Sequence, residues 1–120
     1  MKENPTYQKA MQFAIRIVKL YKYLVEEKSE RIISKQLLRS GTSIGANYSE
    51  ALSAESDMDF IHKLAVSQKE INETSFWLEL LYQTEYLTDN QYESLNADCK
   101  ELQKIFTSII LTTKQKKKNT

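Results

Sequence analysis

The chain has 120 residues, enough for one domain with a single core and too few for two ordinary ones. Two Gly and one Pro leave almost no material for hairpin turns or Gly-rich phosphate loops, which argues against all-β folds and against P-loop or Rossmann sites. At 41% hydrophobic and 28% charged, with a formal charge of +1, the composition reads as soluble and helical rather than disordered.

No apolar run approaches the roughly 18 residues of a membrane span, so no membrane contact is expected. Met1 to Pro5 is polar, without the apolar core of a signal peptide, and a cytoplasmic location is the expectation. The near-neutral charge hides a segregation along the chain. Met1–Arg39 carries nine Lys/Arg against four Glu, a net +5. Ser40–Cys99 carries two Lys against eleven Asp/Glu, a net −9, and Lys100–Thr120 carries six Lys against one Glu, again +5. Electrostatic function must therefore be sought on a face, not in the total.

Asn4 as a cap and Pro5 in the first turn open a helical pattern that runs to about Glu27. Ala10, Phe13, Ala14, Ile17, Leu20, Tyr21 and Leu24 fall on one face, and Met11, Ile15, Val18 and Val25 widen it beyond what one bundle contact uses. Glu26–Glu30 reads as a turn with Ser29 as the next cap. A second helix is expected over about Arg31–Leu52, with Ile33, Leu37, Gly41, Ile44, Tyr48 and Leu52 inward. Gly41 and Gly45 each cost about 1 kcal/mol of helix propensity there, which points to close approach by a neighbouring helix.

Ser56, with Asp57 and Asp59 behind it, caps a third helix that runs to about Glu85 and spans about 43 Å. Its expected inward residues are Ile61, Leu64, Ala65, Gln68, Ile71, Ser75, Leu78 and Tyr82. Thr88 and Gln91 form a capping box for a fourth helix whose stripe is Leu95, Cys99, Leu102, Phe106, Ile109 and Thr113. Residues 1–113 are thus read as one domain and Lys114–Thr120 as a basic, frayed tail. Short connections between long helices favour antiparallel neighbours, giving an all-α, up-down-up-down four-helix bundle.

The chemistry such a bundle can host is limited here. A di-iron site needs two Glu-x-x-His pairs, whereas His62 is the single histidine, so no metal and no cofactor are expected. Cys99 lies on an apolar stripe, where a thiol packs rather than reacts. Glu70 and Glu73, three residues apart on one helix, read as a solvated or ion-paired face, with Glu70 matched to a basic residue on a neighbour. No catalytic constellation emerges.

The most distinctive segment is Ser40–Ala51, in which Gln36, Ser40, Ser43, Asn47 and Glu50 form a polar stripe beside the apolar face. Two readings stand: an interhelical hydrogen-bond seam, or a surface for a ligand or partner. Ser43-Ile44-Gly45-Ala46-Asn47 and Glu50-Ala51 resemble the pattern of the four-helix-bundle family named for the protein encoded by intervening sequences of bacterial 23S ribosomal RNA genes. Ala54-Glu55-Ser56, Asp59-Phe60-Ile61-His62-Lys63-Leu64, Lys69-Glu70, Glu73-Thr74 and Trp77-Leu78 extend the likeness, which covers about Phe13 to Ile110. Leu52 stands where many members have Gly. The resemblance implies a bundle that assembles as a ring, in several members a homopentamer. It also implies kinship with accessory proteins of diversity-generating retroelements that bind nucleic acid and a reverse transcriptase. The wide apolar arc of the first helix independently favours oligomerisation.

Two functions follow as expectations. In one, Lys9, Arg16 and Lys19 with Lys100 and Lys104 form a basic wall that binds RNA or DNA phosphates, multiplied by ring avidity. In the other, charge segregation serves self-assembly or docking of another protein, and Ser43, Ile44, Asn47 and Glu50 belong to a packing or partner seam.

Overall fold

The structure, a computed structural model, describes residues 3–118. It consists of α1 (Pro5–Lys28), α2 (Ile33–Ala51), α3 (Asp57–Gln83) and α4 (Asp89–Lys118), arranged as a rod of 53 × 23 × 21 Å. α2 packs between α1 and α3, α3 packs on α4, and α4 returns to α1 along the thinnest seam of the four. α1 and α3 therefore stand diagonally across the bundle. No helix is long and apolar enough to cross a membrane among the described residues.

Each helix start follows from its local residues. Asn4 accepts the Tyr7 amide at 2.9 Å, while its own amide group meets the Tyr48 hydroxyl of α2 at 3.0 Å. Ser56 accepts the Asp59 amide at 3.1 Å. Thr88 and Gln91 form the reciprocal box, at 2.9 and 3.2 Å. The cap of α2 differs from expectation: Ser29 does not serve it. Ser29 instead closes α1 in a left-handed conformation (φ 53°), and the Glu30 carboxylate caps α2 by accepting the Ile32, Ile33 and Ser34 amides at 3.1, 2.8 and 2.7 Å. Its longer side chain reaches three donors of the next helix, and the Ser34 hydroxyl returns a bond to the Glu30 carbonyl at 2.8 Å. Burial pushes the Glu30 carboxyl up, but these backbone amides together hold it below its ordinary 4.5. α3 closes the same way as α1, with Glu85 left-handed (φ 71°) and the Tyr86 amide bonded to the Leu81 carbonyl at 2.8 Å. Both left-handed turns use non-Gly residues, since the two glycines lie inside α2.

The core runs the length of the rod. Phe13, Ile17 and Leu24 meet Leu37, Ile44 and Tyr48, then Leu64, Ile71, Leu78 and Leu81, and finally Leu95, Cys99, Leu102 and Phe106. Tyr48 and Phe106 stack across it at 5.5 Å. Three expected placements change. Ala51, the last residue of α2, takes the core position assigned to Leu52, which lies in the turn and is exposed. On α3 the stripe passes through Ser67 and Thr74, leaving Gln68 and Ser75 on its flank, because short hydroxyl side chains fit against the small residues of α2. Lys114–Lys118 do not form a separate tail: α4 continues through Lys118, with no Gly or Pro to stop it and the Thr113 hydroxyl bonded back to Ile109 at 2.8 Å. Residues 119 and 120 of the expected tail lie outside the described residues.

The two glycines have different roles. A Cβ at Gly41 would sit 2.8 Å from both Cγ atoms of the fully buried Ile17, whereas at Gly45 it would meet Ala10 at an ordinary 3.5 Å. Thermal denaturation should show Gly41→Ala destabilised by about 2 kcal/mol through overpacking, and Gly45→Ala unchanged or stabilised by up to about 1 kcal/mol. For the α2 cap, Glu30→Ala should cost about 1–2 kcal/mol at neutral pH. With the folded pKa depressed, that contribution is complete above the unfolded value near 4.5 and is lost as pH falls through the lower folded value. The melting temperatures of wild type and variant should therefore converge in acid.

Candidate functional site

The polar stripe of α2 resolves into two kinds of contact. Toward α3, the Thr74 hydroxyl donates to Ser40 Oγ at 2.9 Å, and the Ser67 hydroxyl donates to the Ile44 carbonyl at 2.9 Å. All three hydroxyl side chains are fully buried. On the outer side, Ser43 Oγ donates to the Arg39 carbonyl at 2.6 Å and the Asn47 amide donates to the Ser43 carbonyl at 2.9 Å. Lys63 of α3 donates to Glu50 at 3.3 Å, and Gln36 is exposed. The segment is thus an interhelical seam with Ile44 in the core. Ser43 and Asn47 each donate to a carbonyl within α2.

Beside the seam, Arg39 of α2 bridges Glu70 at 3.3 Å and Glu73 of α3, and the Trp77 indole N–H donates to Glu73 at 3.0 Å. The Trp77 bond, then Arg39, hold the Glu73 carboxyl below its usual range, and Glu73 raises the Arg39 guanidinium in turn. The expected pairing of Glu70 with a neighbouring helix is met by Arg39.

The five candidate cations do not form one wall. Lys9 donates to Glu101 at 3.0 Å, and Arg16 donates to Asp98 at 2.5 Å and to Ser94 at 2.9 Å, so both are spent on carboxylates and a hydroxyl of α4. Asp98 and Glu101 occupy the edge of α4 that faces α1, a placement set by the register of the two helices. Between them lies a cleft of about 410 Å³ floored by Phe13 and Leu102. Lys100 and Lys104 point elsewhere, lining a shallow groove of about 540 Å³ on the outside of α4 with Gln103, Thr107, Ser108 and Leu111. That groove has no carboxylate in its lining, and neither lysine has an ion-pair partner among the described residues. Lys19 is exposed on α1.

Cys99 and His62 lie in opposite surroundings, one buried and one exposed. The Cys99 thiol is 1% exposed, and burial pushes its pKa up to about 11. His62 is exposed, and the described residues hold no cluster of three metal-ligating side chains. Sequence periodicity missed Ser67 and Thr74, although hydroxyl residues seven apart between Leu64, Ile71 and Leu78 carry that signal. Thr74→Val should cost about 1–2 kcal/mol because Ser40 loses its hydroxyl partner inside the core, while a double-mutant cycle with Ser40→Ala should show coupling.

Comparison with known proteins places this geometry. Residues 2–108 match the family model for the 23S rRNA-intervening sequence protein. A crystal structure of a protein of unknown function from the S23 ribosomal protein family of Bacteroides thetaiotaomicron is 57% identical and superposes with a TM-score of 0.86. The match covers 88% of this chain and 97% of that one. No curated protein matches the chain. The four-helix fold and the α2 motif are thus accounted for together: the chain belongs to the 23S rRNA-intervening sequence protein family.

Proposed function

We propose that this protein is a non-catalytic helical module that assembles with copies of itself into a ring and binds the backbone of structured RNA or DNA along the outside of α4. The observation that carries the nucleic-acid part is the carboxylate-free groove in which Lys100 and Lys104 sit one turn apart, unpaired among the described residues. Lys114 and Lys116 lie exposed further along the same helix. Hydroxyl side chains at Thr107 and Ser108 offer neutral hydrogen bonds beside the ammonium groups, a combination suited to phosphate and sugar rather than to base edges.

Self-assembly is supported by the apolar arc of α1, where Met11 and Ile15 are 42% and 39% exposed in the protomer. This arc also favours the second reading, a protein scaffold without nucleic-acid binding. Among the described residues no group of three metal-ligating side chains converges, and the buried Cys99 thiol is held protonated, which supports a role without catalysis.

Fluorescence anisotropy with a structured RNA and a DNA duplex distinguishes the readings. Binding should weaken steeply with salt, and the double variant Lys100→Gln/Lys104→Gln should lower the slope of log affinity against log salt by about 2. Lys9→Gln, which removes a cation already tied to Glu101, should leave that slope nearly unchanged. No binding at low salt would overturn the nucleic-acid reading and leave the scaffold.

A further inference from the structure

The outer face of α4 carries cations at two levels, with a neutral stretch between them. Lys100 and Lys104 line the groove of about 540 Å³ described above. Lys114, further along the helix, is exposed and has no ion-pair partner among the described residues. At about 3.6 residues per turn it returns to within roughly 40° of Lys100, and the rise from Lys104 to Lys114 is about 15 Å. Ser108, Leu111 and Thr112 fill that interval within the same groove.

The hydroxyls of the interval are unspent. Thr42, Ser43, Thr84 and Thr113 each donate to a carbonyl one helical turn back, and Thr107 accepts the Gln68 side-chain amide at 2.9 Å. Ser108 and Thr112 are exposed and make no side-chain hydrogen bond among the described residues, so each is free both to donate and to accept. α4 itself is sunk into the bundle. Leu102 and Phe106 belong to the core, the Gln103 amide donates to the Gln68 carbonyl and to Asn72 on the α3 side, and Lys9 and Arg16 reach α4 from α1. Only one face of the helix is left to meet a partner. Such a face cannot enter the B-DNA major groove, which is about 8.5 Å deep, and a helix about 10 Å across does not fit a minor groove about 6 Å wide. The minor groove of an A-form RNA duplex is wide and shallow, with 2′-hydroxyls displayed between two rows of phosphates.

We propose that the outer face of α4 lies across the minor groove of double-stranded RNA, with Lys100 and Lys104 on the phosphates of one strand, Lys114 on those of the other, and Ser108 and Thr112 on the 2′-hydroxyls between. This inference rests on the nucleic-acid part of the reading above and names the class of duplex that the site selects. The order of groups along the helix, ammonium then hydroxyl then ammonium, repeats the order of groups across that groove. Ser108 and Thr112 discriminate because their partner, the 2′-hydroxyl, is missing from DNA. The lysines do not discriminate, since both kinds of duplex carry the same phosphates. Recognition is by shape and sugar and is blind to base sequence, as Gln103, the amide side chain of the groove, is turned toward α3.

Anisotropy titrations of the full chain at low salt test this with three probes: a blunt RNA duplex, the DNA duplex of the same sequence, and one of the RNA strands alone. The RNA duplex should bind about tenfold tighter than either of the others, the effect of two neutral hydrogen bonds. The double variant Ser108→Ala/Thr112→Val should reduce RNA-duplex affinity to that of the DNA duplex and leave DNA affinity unchanged. Both positions are exposed, so helical circular dichroism should stay that of the wild type. Ser108→Thr, which keeps a hydroxyl, should retain the preference. Lys114→Gln should lower the salt slope on the RNA duplex by about 1. Equal affinity for the two duplexes, or a preference that survives the double variant, would overturn the 2′-hydroxyl contact while leaving phosphate binding intact. Tighter binding of the single strand would overturn the duplex. Failure to bind any of the three would overturn the nucleic-acid reading itself.

Discussion

Ile17 rests on the bare Cα of Gly41, and the rest of the bundle is arranged around that approach. A side chain there would meet both Cγ atoms of Ile17 at 2.8 Å, so the distance between α1 and α2 depends on the missing Cβ. On its other flank α2 is held by short hydroxyl side chains, with Thr74 on Ser40 and Ser67 on the Ile44 carbonyl. Small residues on α2 therefore let two neighbours come close at once. Each buried hydroxyl is tolerable because it finds a partner; unpaired, it would cost about 1–3 kcal/mol. Phe106 and Leu102 of α4 then complete the core from the remaining side.

The same packing decides which charges are available. The α1–α4 seam is the thinnest, and it is crossed by the Lys9–Glu101 and Arg16–Asp98 pairs. As half-exposed pairs they add little stability, but they place a carboxylate beside each of these two cations. Lys100 and Lys104 belong to the same helix as Asp98 and Glu101 but line a separate groove on its outer side. Within a few residues, α4 thus offers carboxylates to α1 and ammonium groups to solvent. On α2 and α3, Arg39 similarly absorbs Glu70 and Glu73, so part of the acidity of the middle segment is neutralised within the protomer.

Much of the architecture was legible from local chemistry. Asn4, Ser56 and the Thr88–Gln91 box each begin a helix where their side-chain oxygens predict. The stripes of α1 and α4 also follow directly from spacing. Glu30 was missed because its capping reach depends on the left-handed turn at Ser29, which chain composition does not announce. The inward face of α3 was read one residue off at Gln68 and Ser75, since hydrophobicity alone ranks a buried threonine or serine no higher than its neighbours. α4 runs through its lysine-rich end because Lys and Gln are good helix formers when nothing interrupts them.

The sequence by itself determined that this protein is a bundle of four long helices with short turns, one core and a buried cysteine. Those properties arise from periodicity, caps and residue counts, which act over a few positions of chain. Only the tertiary structure decided which cations are free, which glycine is required and which apolar residues stay uncovered. Each of these depends on the register between helices distant in sequence. Lys9 and Glu101, ninety-two residues apart, meet through packing alone.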